Sequence, residues 1–133
     1  MEEADWKRLL RQVRQGYVVP VIGSQLLADG DGPSYQQQVA AELLSSYGLT
    51  ADADALPAFL PIAHVVTRLL DEAGATLQDL YADVHDAYET VAGRLDGALP
   101  EPLVQLAAIS DFRLFVTTHA DDLLARALRV HGP

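Results

Sequence analysis

The chain of 133 residues is half hydrophobic, has no cysteine, and sets 19 acidic against nine basic side chains for a net charge of −10. That length supports one core, and the lack of cysteine excludes disulfides, a thiolate nucleophile and a cysteine zinc ribbon. The charge excludes nucleic acid as a partner, since phosphate contacts need clustered Lys and Arg. A solvated acidic surface or a basic protein partner accounts for it instead. Met1 to Trp6 lacks the basic and then apolar pattern of a secretory signal, and no apolar stretch approaches the ~20 residues of a membrane span. The chain therefore reads as soluble and cytoplasmic, with no membrane partner.

Residues 2–14 predict an amphipathic helix, with Trp6, Leu9, Leu10 and Val13 on one apolar face, acidic residues at its start and Arg11 and Arg14 at its end. Trp6 reads as a core anchor, and Gly16 stops the helix. Val18 to Ile22 is a β-branched run without polar alternation, the pattern of a strand covered on both faces in a parallel sheet. Gly23 ends it, at the carboxyl edge where open α/β sheets bind ligands. A buried strand closed by a turn glycine would look the same.

A loop over residues 28–33 leads to Ser34 and Gln37, whose spacing is that of a capping box, so a helix is expected from Tyr35 to about Tyr47, ended by Gly48. Gln36, Gln37 and Gln38 read as an exposed first turn. Two further helices follow, one with Ile62, Val65, Val66, Leu69 and Leu70 on its inner face, the other over residues 77–95 with Leu77, Leu80, Tyr81, Val84, Tyr88 and Val91. His64 reads as a surface or boundary residue, and His85 with Asp86 as a solvated pair. A short helix over residues 102–108 precedes a second strand over residues 112–118. A last helix spans residues 121–130, where Asp121 has the position of a helix cap and His131-Gly132 that of a helix end.

Two strands separated by a long helical stretch define an α/β chain: the front part of a Rossmann-like parallel sheet with a large helical insertion over about residues 34–110 between its first two recognisable strands. Two parallel strands alone make a poor sheet. The expectation is that residues 1–133 are the amino-terminal portion of a single larger domain, or complete their sheet with a partner.

The second strand runs into Thr117-Thr118-His119-Ala120-Asp121-Asp122-Leu123-Leu124. This resembles the second nucleotide motif of the sirtuin-like family, Thr-[Gln/Thr]-Asn-x-Asp-x-Leu. Tyr17 to Leu27 is similar to the family's first motif, a strand followed by Gly-Ala-Gly-x-Ser. The opening Trp-x-x-Leu-Leu helix resembles the divergent bacterial branch found in prokaryotic immune proteins. The resemblance implies a Rossmann-like domain that binds NAD+ between the two strand ends. By position, Gly23, Ser24, Gln25 and Leu27 fall on the phosphate turn, Thr118 on the nucleotide-facing strand end, and His119 and Asp121 on the catalytic positions.

The departures are specific. Gln25 stands where a second glycine lets backbone approach the cofactor, Leu27 replaces a serine, and His119 replaces the asparagine that holds ribose and water in active members. A histidine there can serve as a base or fill the pocket with its ring. The missing cysteines remove the zinc module of protein deacetylases, so neither a metal nor deacetylation is expected. The resemblance implies an NAD+-binding module with a weakened or silent site, a sensor or oligomerisation scaffold that self-associates or serves a fused effector or sensor domain in anti-phage defence. The alternative is an active NAD+ glycohydrolase that releases nicotinamide and depletes NAD+. An unrelated helical adaptor would keep the two strands apart.

Overall fold

The computed structural model describes residues 2–27, 32–95, 98–118 and 120–132, and of Gln25 the backbone alone. They fall into two compact units, residues 1–26 with 99–133 and residues 27–98. The described chain is mainly helical, with one small parallel sheet.

The first unit opens with α1 (Glu3–Arg14), which starts in a reciprocal cap between Glu2 and Asp5. It ends where Gly16, at φ +72°, lets Tyr17 N–H reach back to the Gln12 carbonyl, a reversal that only glycine makes without strain. Contrary to the core role expected for Trp6, α1 buries none of its residues and Trp6 is 50 % exposed.

The expected strands are much shorter than their apolar runs. β1 is Val21–Ile22 and β2 is Val116–Thr117, paired in parallel with Val21 opposite Val116 and Ile22 opposite Thr117. Pro20 explains the late start of β1: it has no N–H to give a ladder, although its carbonyl accepts from Val116 N–H at 3.0 Å. Cover on both faces is also absent. Ile22 is buried while Val21 and Val116 are exposed, because each strand has one paired neighbour and one covered side. In the same unit α5 (Glu101–Ala107) and α6 (Leu123–His131) pack on each other, with Leu103, Ala107, Leu123 and Ala127 as their buried residues. α5 belongs to the same compact unit as the sheet. Gly132 caps α6, and His131 lies in its last turn.

The second unit is built around α2 (Tyr35–Ser46), on which α3 (Pro61–Glu72) and α4 (Leu77–Arg94) both pack. Tyr35, Val39, Leu43 and Leu44 form the centre with Val65, Leu69, Leu80 and Val91. The capping box forms as its spacing predicts: Ser34 Oγ accepts from Gln37 N–H at 3.2 Å, and Ser34 N–H donates to Gln37 Oε1 at 2.8 Å. Yet Gln37 is not the solvated residue expected of an exposed first turn. It is 8 % exposed, and its Nε2 donates to the buried Leu56 carbonyl at 2.7 Å, which fastens the loop that follows α2 back onto its first turn. The apolar stripe of α4 is also divided. Leu80, Ala87 and Val91 are buried, whereas Leu77 and Tyr81 stand exposed, because α2 is the main element on which α4 packs. His64, His85 and Asp86 are exposed.

The charge divides with the units. Residues 27–98 hold twelve Asp and Glu against Arg68 and Arg94, so they account for the whole net charge of −10, while the sheet unit balances seven against seven.

Removing the Gln37 amide strands a buried carbonyl, so Gln37→Ala lowers unfolding stability by about 1–3 kcal/mol, while Gln38→Ala, which loses one part-buried bond to Pro33, costs less; urea denaturation of the two variants tests the difference. Tyr47 donates its hydroxyl to Asp83, and this bond, with burial and the charges of Asp83 and Asp79, pushes the phenol up from 10.0 to about 12. Folding thus favours the neutral phenol. The resulting stability is present below pH 10 and disappears as pH rises to about 12. The melting-temperature gap between wild type and Tyr47→Phe is expected to hold at pH 8 to 9 and to close above pH 10.

Candidate functional site

The two sequence motifs meet at one end of the sheet. β1 finishes at Ile22, and its carbonyl accepts twice from Thr118, from the N–H at 3.1 Å and from Oγ1 at 3.2 Å. These residues lie 96 positions apart, and the double bond sets the carboxyl ends of β1 and β2 side by side. The two strands are neighbours, so the separation that would have supported an unrelated adaptor is not observed.

After Ile22 the chain passes Gly23 into a single 3₁₀ turn, Ser24–Leu27, closed by Leu26 N–H on the Gly23 carbonyl at 3.1 Å. Beside it lies an open hollow of about 540 Å³, lined by Pro20, Val21, Ile22, Gly23, Ser24, Leu26 and, from α5, Leu106. Gly23 has no positive φ, and a Cβ built on it would meet nothing within 4 Å. The glycine demanded by a sharp turn is therefore not what this structure shows. Its bare Cα faces open space on the wall of the hollow.

Ser24 is half-buried on the hollow's wall, but Leu27 is buried at 3 % exposure and begins the helical unit, so it does not line the hollow. The Thr118 hydroxyl is spent on the strand tie. Asp121 Oδ1 accepts from Leu123 N–H at 3.1 Å and so performs the capping role its position suggested, one residue ahead of the helix boundary. Asp122 pairs with Arg126 at 2.8 Å. His119 and the side chain of Gln25 lie outside the described residues. Pro20, Leu26 and Leu106 enter the hollow without having been singled out. Pro20 and Leu26 adjoin the first motif, but Leu106 offered no signal beyond its helical spacing with Leu103, because its place is set by α5 packing beside β1.

Among the described residues no group of three or more His, Asp or Glu gathers to hold a metal ion, and no helix is long and apolar enough to cross a membrane. No protein-family model, curated protein or solved structure matches this chain.

Because nothing in the fold occupies the Cβ position of Gly23, Gly23→Ala keeps or raises stability, by up to about 1 kcal/mol through the narrower unfolded ensemble. Thermal melting by circular dichroism checks this, and a clear fall in melting temperature would show that the fold itself needs the glycine.

Proposed function

We propose that the sheet unit is a sirtuin-like nucleotide module that binds NAD+ across the joined ends of β1 and β2, as the front portion of a cytoplasmic prokaryotic immune protein. The observation that carries this reading is the pair of hydrogen bonds from Thr118 to the Ile22 carbonyl, which brings the start of the Gly23–Leu26 turn and Thr118 to one carboxyl edge. Ligands of open α/β sheets bind at that edge. The unit's own acidic and basic residues balance, so it adds no net repulsion of its own toward a pyrophosphate.

The site is a binding site with weakened or silent chemistry. Two of its polar side chains, Thr118 and Asp121, are engaged in holding the strand pair and the start of α6. Activation of water at a ribose calls for a group aimed at the substrate. The module then serves as a sensor or scaffold, through self-association or a fused effector domain, and neither a metal nor deacetylation is part of the proposal.

Titration of the purified chain with NAD+, following heat and nicotinamide together, is expected to give saturable binding without nicotinamide release. Gly23→Ala abolishes the heat without lowering the melting temperature. Nicotinamide release that disappears in Asp121→Ala and His119→Ala would establish the glycohydrolase instead. Release appearing only in His119→Asn would locate the silencing at that position.

A further inference from the structure

Two apolar surfaces stand open in this chain. α1 carries Trp6, Leu9, Leu10 and Val13 along one side, with Leu9 and Val13 half-buried and Trp6 50 % and Leu10 49 % exposed. In the helical unit α3 and α4 each pack on α2, and between them lies a groove of about 220 Å³ lined by Val66, Leu77, Leu80, Tyr81 and Val84. Its outer wall is bare, with Leu77 62 % and Tyr81 80 % exposed. Exposed patches of this kind mark interaction surfaces, and an amphipathic helix laid in an apolar groove is a recurring way of filling one. The lengths agree: α1 and α3 each have 12 residues, about 18 Å of helix at 1.5 Å per residue.

Charge selects the pairing. Lys7, Arg8, Arg11 and Arg14 lie on α1 against Glu3 and Asp5, so the helix is net positive, and it holds four of the chain's nine basic residues. Residues 27–98 carry the entire net charge of −10. Two helical units facing each other repel, as do two copies of α1, whereas α1 and a helical unit attract. We propose that α1 of one copy docks its Trp6 and Leu10 side into the α3–α4 groove of a second copy. This deepens the scaffold part of the function proposed above. It uses none of the nucleotide-site residues, so loss of NAD+ binding leaves it standing.

Trp6 is the chain's single tryptophan, and its emission reports burial of α1. Sedimentation of the full chain over a concentration series is expected to show self-association, with Trp6 emission moving to shorter wavelength as copies associate. Leu10→Glu on α1 and Tyr81→Glu in the groove each weaken association by about tenfold or more. Both side chains are exposed, so circular dichroism is expected to stay unchanged. Mixing the two variants restores a heterodimer, because one intact helix still meets one intact groove. The proposal is overturned if the wild type stays monomeric, if Tyr81→Glu associates as the wild type does, or if the mixture remains monomeric. It also fails if Trp6 shifts only with anionic lipid vesicles.

Discussion

Everything in the sheet unit depends on one carbonyl. Ile22 O receives both the N–H and the hydroxyl of Thr118, and with the Val116 bond to Pro20 it closes a loop that contains the whole helical unit. Closing a loop of that length is entropically unfavourable, but the dependence on length is slow, and a compact insertion lowers the number of states the chain must give up. The helical unit supplies that compactness with its own core around α2. The ladder itself is only two residues long on each side, so the buried cluster of Ile22, Leu103, Leu123 and their neighbours holds the strands where the bonds can form.

The same tie constrains the chemistry. Thr118 and Asp121 fall at a site by position, yet each is bonded to the backbone that builds the site. These bonds, through the Thr118 hydroxyl and one oxygen of Asp121, keep the strand pair and the start of α6 in register. Gly23 is the contrasting case. Its backbone asks for no glycine, and its surroundings leave room for a side chain.

Charge adds a second organising constraint, along the chain instead of within a site. A sheet unit of balanced charge and a helical unit holding all of the net negative charge behave differently toward anions and toward other copies. The second repels anions, and the first carries no net charge with which to do so. An average over the whole chain conceals this division, since a net charge of −10 read as one number describes neither unit.

Helix boundaries were legible because their signals are local. The Ser34–Gln37 box, Gly16 and Gly48 act within one turn, and the helices start and stop within two residues of where those signals lie. The adjacency of the two strand ends was legible only through the spacing of two motifs. The hollow's Leu106 wall was not legible at all. Side-chain environment failed most clearly where an apolar pattern was taken as burial: Trp6, Val21 and Tyr81 have the right periods and stand exposed. Periodicity records which side of an element is apolar, a property of the chain alone. Whether that side is covered depends on which other elements reach it, and that was decided by the parallel closure of β1 on β2 and by α3 and α4 each packing on α2.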